Sequence, residues 1–333
     1  MMCIMIQKTY LRIPELDYMR GLAMLFVVMG HILEFGMQAD SYPRAFMSIV
    51  QMPIFFMIAG FFAYKDGDES VKAVVHRFVL RTRALLVPLI VWSVLLNVCN
   101  GVVTSPLSMV YRGGYWFFLA LWWCDVISTL CAYASKKFKY GIVSDIVFYS
   151  TLYAIILIGK IEDIELAGLL PIQNVQYYFP FFALGIMCRK YPCIYSAVLN
   201  KYTYALGLVT VIVGWYFSYL QSYAIFATTA LGGCVVIWMA CKEIPDKVKW
   251  AKALSIVGKN TLPIYAIHYL FITTLPQCLH DVVNVPMGFF LQFVIAFAYA
   301  VIVVILCLII DRIISINPIT RMVFFGESKK REW

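Results

Sequence analysis

Charge is what this sequence has least of. Only 14% of its 333 residues are Asp, Glu, Lys or Arg, while 62% are apolar; a water-soluble domain is nearer a quarter charged and half apolar. So few charges cannot coat a water-facing surface of this size, which excludes a cytosolic enzyme. Heptads are missing too. The apolar residues come in blocks of about 20, the length that crosses a bilayer as a helix, so coiled coil, collagen and disorder fall away together. The ten cysteines include no CxxC pair and no histidine partner at metal-ligand spacing. Most lie in or beside apolar blocks, where Cys serves as a small buried hydrophobe, and no metal site is expected. What remains is an all-α integral membrane protein.

The blocks predict ten spans, at about 17–38, 44–64, 77–98, 115–134, 141–159, 171–188, 203–220, 222–241, 257–279 and 287–310. The connections after even-numbered spans are basic (for example SKKFKYG and KEIPDKVKWAK) and those after odd-numbered spans are not. With both termini on one side, 23 of the 27 basic residues share that side. Arg44, Arg112 and Lys160 face the other, and Arg20 lies within span 1. The positive-inside rule makes the basic side cytoplasmic. The net charge of +9 therefore reports topology and gives no evidence of nucleic-acid binding. No cleavable leader is expected before the first span. Residues 1–333 are expected to form a single bundle with short cytoplasmic tails at 1–14 and 311–333.

Span 1, ELDYMRGLAMLFVVMGHILEFG, carries Asp17, Arg20, His31 and Glu34. Eleven residues separate Arg20 from His31, three full turns plus about 20°, so both lie on one face roughly 16 Å apart. Asp17 and Glu34 stand three residues outside them and join that stripe. Such a face must look into protein or a water-filled cavity. Asp17 and Arg20 are near the cytoplasmic end, where a local ion pair also accounts for them, and Glu34 is near outer water. His31 lies past the midplane. A neutral imidazole there, oriented by Glu34, can take a proton from a hydroxyl group; a hydrogen-bonded structural histidine is the other reading.

Arg-x10-His within DYMRGLAMLFVVMGH resembles the signature of the membrane acyltransferase 3 family. Further segments resemble that family in order: QMPIFFMIAGFF (51–62), RTRALLVPLIVW (81–92), YWFFLALWW (115–123), YYFPFFALGIMCRK (177–190) and VGKNTLPIYAIHYLF (257–271). The resemblance runs from about residue 15 to 310. Two positions depart from it, Gln51 where members often carry His and Ala59 where they often carry Ser. Some members also bear a fused extracytoplasmic esterase-like domain, which is not expected in these 333 residues.

The resemblance implies transfer of an acyl group, usually acetyl from acetyl-CoA, to a hydroxyl of a sugar or related extracytoplasmic molecule at the plasma (inner) membrane. It makes His31 the general base, with Arg20 and Glu34 beside it on the stripe. Arg20, Arg81 and Arg83 can form a cytoplasmic mouth for the polyanionic donor; contact with lipid head groups is the alternative for the last two. Tyr265 and His268, one turn apart, and the interfacial Trp116 are candidates for acceptor binding. Asn260 and Thr261 can cap the helix that follows them. A transporter using the buried His and Glu for proton coupling is the rival class, weakened because the two halves of the chain show no inverted repeat. The topology predicts that a periplasm-dependent phosphatase reporter is active when fused at Lys160 and silent at Lys190; the opposite pattern would reverse the orientation.

Overall fold

The computed structural model describes residues 13–37, 42–65, 70–101, 114–135, 141–159, 170–217, 222–245, 248–272 and 289–327. Among them every regular element is a helix. Pro14 opens α1 (Pro14–His31), where a fixed φ and a missing N–H cost nothing, and Glu15 and Asp17 put negative charge on its N-terminal turn. After His31 the hydrogen-bond register changes to one π turn, Ile32–Gly36. There follow α2 (Tyr42–Ala63), α3 (Val71–Cys99), α4 (Trp116–Ser135), α5 (Ile142–Ile158) and α6 (Ile172–Lys190). α7 (Pro192–Val198) meets α8 (Lys201–Tyr216) at a 53° bend. The Asn200 side chain between them accepts from the Tyr202 and Thr203 N–H groups and starts the second helix. The chain continues through α9 (Tyr223–Lys242), α10 (Lys249–Lys259), α11 (Thr261–Ile267) with a 3-10 turn at His268–Leu270, α12 (Phe289–Ile314) and α13 (Pro318–Phe325).

Five of these helices are long and apolar enough to cross a membrane, or six if the bent α7–α8 pair is one span. The five are α1 with its π turn, α2, α3, α9 and α12; α4 and α5 are apolar but shorter. The segment expected as a ninth span differs most from a continuous helix. It breaks at Asn260, between α10 and α11, and its expected outer part lies outside the described residues, as do Arg112 and Lys160. The expected C-terminal tail is also structured through residue 327. It turns back as α13 onto α3, where the Trp92 indole N–H donates to the Phe324 carbonyl oxygen at 2.9 Å.

α1 is the inner helix of the bundle, packed against α2, α9, α10 and α12. Met19, Ala23, Val27, Val28 and Met29 are all buried. α12 does the reverse and exposes Phe290, Ile302, Ile305, Ile309 and Ile313 along its length, an apolar outer face suited to lipid. Buried carboxylates are paired, because an isolated charge in low dielectric is prohibitively costly. Asp17 lies 3.9 Å from Arg20, Asp125 pairs with Arg81, Asp145 with Lys190, and Asp311 with Arg321 at 3.0 Å.

The N-terminal half of α1 is held by α10 at backbone-to-backbone distance. A Cβ on Gly258 would fall 1.9 Å from the Asp17 carbonyl oxygen, and one on Gly21 would fall 2.2 Å from the Leu254 carbonyl oxygen. Small residues at a helix crossing permit this approach, and here it fixes where α11 begins its run beside α1. Gly258→Val should separate the two helices at a cost of about 1–3 kcal/mol, the usual range for overpacking. Thermal unfolding in detergent would register this as a lowered midpoint, and an unchanged midpoint would mean that α10 does not rest on α1 there.

Candidate active site

Two features occupy the two halves of α1. The first is a cavity of about 160 Å³ flanking its N-terminal half. Arg20, Arg81, Lys259, Arg321, Glu327 and Asn260 contribute its polar wall, while Phe55, Phe62, Phe117, Phe118 and Tyr265 form an aromatic one. The Arg20 guanidinium lies 4.7 Å above the Phe62 ring, a cation–π arrangement that holds the group without neutralising it. Arg81 is fixed by the buried Asp125. Arg321 bonds Asp311 at 3.0 Å and the Ser315 hydroxyl at 2.5 Å, and comes within 3.6 Å of Glu327. Its Nε–H has no partner among the described residues.

Asn260 is 6% exposed. Its side-chain N–H donates to the Ile256 carbonyl oxygen at 2.6 Å, which settles the orientation of the amide, and its Oδ1 has no partner among the described residues. Unlike the expected cap, it makes no side-chain bond to the start of α11. Asn260 and Arg321 both belong to the cavity lining, and these two atoms, Oδ1 and Nε, are themselves buried.

The second feature is a ring cluster around His31. His31 Nδ1 lies 2.9 Å from His268 Nε2, and the Tyr269 hydroxyl lies 3.2 Å from His31 Nε2. His268 is fully buried. Its Nδ1 faces the carbonyl oxygens of Tyr265 at 2.7 Å and Ile264 at 3.1 Å. Carbonyls only accept, so His268 Nδ1 carries the proton and, in the neutral ring, Nε2 is the acceptor. His31 must then donate through Nδ1, which leaves the lone pair of a neutral His31 on Nε2. The backbone of α11 thus selects the tautomer of a histidine on α1. The hydroxyl of Tyr265 donates to the Gly114 carbonyl oxygen at 2.5 Å, and that of Tyr115 donates to the Ala266 carbonyl oxygen at 2.7 Å. These two bonds tie the start of α4 to α11.

A model of the acyltransferase domain, Acyl_transf_3, matches residues 13–312. The chain belongs to the membrane acyltransferase 3 family. The match runs from the start of α1 almost to the end of α12 and includes both histidines. Neither the search of curated proteins nor that of solved structures returned a match.

The acyltransferase brings together some of the residues expected from its sequence and separates others. Arg20 and Arg81 share the cavity wall. Arg83 does not line it; its Nε–H donates to the Gly326 carbonyl oxygen at 2.8 Å, fastening the end of α13 to α3. Glu34, expected to orient the imidazole, instead pairs with Arg44 at 2.7 Å. The π turn lies between, because i→i+5 bonding abandons the spacing by which residue 34 would follow His31 on one stripe. His268 and Tyr265, expected to contact acceptor, are buried and hydrogen-bonded within the protein. Trp116 stacks on Tyr178 with ring centroids 5.5 Å apart, while its neighbour Tyr115 approaches the histidine cluster.

Sequence reasoning did not single out Asp125, Lys259, Arg321, Glu327 or Tyr269, and gave Asn260 only a capping role. Only Asp125 carried a clear signal, as an acid inside an apolar block. Arg81→Ala would take from the buried Asp125 its hydrogen-bonded ion-pair partner and leave only the charge of Arg77 near it, at a cost toward the lower end of the roughly 3–5 kcal/mol for breaking a buried pair. Replacing both partners with leucine should recover most of that loss in a detergent melt. If the single variant melts like the wild type, the pair has no structural weight.

Proposed function

We propose that this membrane acyltransferase moves an acetyl group from cytosolic acetyl-CoA to a hydroxyl of a sugar in an exported or cell-surface glycan. The observation that carries the reading is the pairing of an arginine-rich cavity at one end of α1 with a tautomerically fixed histidine at the other. The donor's phosphates suit the cationic side chains Arg20, Arg81, Lys259 and Arg321, since guanidinium forks match phosphate oxygens. The aromatic wall suits the apolar part of its pantetheine arm. Met24, on the same wall, precedes His31 by seven residues, about 10 Å of helix rise. A flexible arm reaching past Met24 delivers the thioester to the level of the imidazole.

In this reading His31 Nε2 is the general base. It takes the acceptor's hydroxyl proton as the oxygen attacks the thioester carbon, and returns that proton to the departing thiolate. His268 is a positioning residue: it holds Nδ1 and offers a fixed acceptor to the proton there. Direct transfer requires no covalent enzyme intermediate. Residues 1–333 act as one transmembrane unit with ten spans in the inner membrane, in contact with its lipid, with both termini cytoplasmic. Spans on this count let a cytosolic donor and an outer acceptor meet along α1, and no metal is called upon.

The test uses the purified protein in liposomes with labelled acetyl-CoA and a panel of methyl glycosides as acceptors. Label should pass to a glycoside, and His31→Ala should abolish the transfer in protein that still folds, its detergent melt lowered by the loss of the partner of His268 Nε2. Normal turnover by that variant would remove His31 from the chemistry. His268→Phe should lower kcat strongly at near-constant donor KM. His268→Gln, whose amide oxygen can still accept from His31 Nδ1, should recover part of the loss, a rescue that a purely space-filling role would not produce.

A further inference from the structure

We propose that Tyr269 is a catalytic residue that donates its hydroxyl hydrogen to the oxyanion of the tetrahedral intermediate, an inference that rests on His31 acting as the base. The Tyr269 hydroxyl is bonded to His31 Nε2 at 3.2 Å, the very lone pair the acceptor must use. The two hydroxyls compete for one nitrogen. When the acceptor's O–H takes that position, the phenol is released as a donor without an acceptor, a costly state in a buried site. The partner it then needs arises one bond away, on the carbon the acceptor attacks.

The phenol is held for such a role. Its ring lies 4.2 Å from that of His268, 4.8 Å from that of His31 and 5.3 Å, edge to face, from that of Tyr115. The hydroxyl end lies against Gly114, which has φ +74°, and a Cβ there would fall 1.9 Å from the Tyr269 oxygen. A glycine is therefore required twice over, by its backbone and by the phenol. That backbone is itself tied to α11 through the Tyr265 bond. A donor so fixed needs little reorganisation when charge develops beside it.

The step balances as follows. The acceptor oxygen forms a bond to the thioester carbon, its proton passes to His31 Nε2, and the carbonyl π pair moves onto oxygen, where Tyr269 O–H hydrogen-bonds it. Collapse restores the carbonyl and breaks the C–S bond. The leaving thiolate then takes the proton from His31 Nε2, giving the ester and the free thiol with nothing oxidised or reduced.

The experiment compares two analogues of acetyl-CoA on the purified full chain. One replaces the thioester with an unreactive methyl ketone. The other carries a trifluoromethyl ketone, whose hydrate is tetrahedral at the same carbon and, once ionised, presents an oxyanion there. Tyr269→Phe should bind the methyl ketone as the wild type does and lose the tighter binding of the trifluoromethyl ketone, by a factor of about 10² to 10³, the usual effect of removing one oxyanion donor. Its kcat with the glycoside panel should fall by a similar factor at unchanged donor KM. Unaltered preference between the analogues would overturn the proposal, even if kcat fell, because a phenol that only steadies His31 does not distinguish them. Equal methyl-ketone binding also certifies the fold. If Tyr269→Phe does not fold, Tyr269→His is read with the same pair and should keep the preference only in part. Full activity in His31→Ala would remove the underlying base assignment, whereas an inactive His31→Ala beside a fully active Tyr269→Phe would remove this proposal alone.

Discussion

The closeness of two backbones sets the terms for everything else. Gly258 lies against the Asp17 carbonyl and Gly21 against that of Leu254, so the segment from α10 into α11 has no freedom to slide along α1. From that crossing α11 climbs beside α1 until His268 meets His31. Within an apolar bundle water cannot supply the missing partners of two imidazoles. They therefore satisfy each other, and the carbonyls of Ile264 and Tyr265 complete the chain. A packing contact at one end of a helix thus dictates which nitrogen of a distant ring carries a proton.

Charge is managed differently at the two ends. Around the cavity, acids and bases are mixed, and Asp17, Asp125 and Asp311 each lie against an arginine. Around His31 the close contacts are aromatic and imidazole rings, with the Glu34–Arg44 pair beyond them and more exposed. A neutral imidazole is easier to keep in such surroundings than beside a buried carboxylate.

The helical character, the boundaries of most apolar blocks and the Arg20–His31 register were legible in the sequence, because each follows from hydrophobic period or from the 100° step of one helix. Where the sequence misled, the fault lay in assuming a helix to be uniform. Glu34 shares the stripe of His31 only if residues 32–36 are α-helical, and they form a π turn. His268 was found, but as an acceptor contact, because no linear pattern reveals that its Nδ1 meets its own helix's carbonyls. Arg321 and Glu327 were assigned to a short cytoplasmic tail since nothing in RMVFFGE announces a return to α3. Contacts between residues hundreds of positions apart leave no periodic trace.

That return has a bearing on assembly. Residues 318–327 are synthesised after every helix they close upon, and the Arg83 and Trp92 side chains that receive them wait on α3 from early in translation. The inner ring cluster can form as soon as α11 inserts beside α1, whereas the cationic cavity gains Arg321 and Glu327 only at the last stage. A nascent bundle therefore holds its histidine pair before it can complete its mouth. The wall of the cavity is thus the last of these described features to be completed.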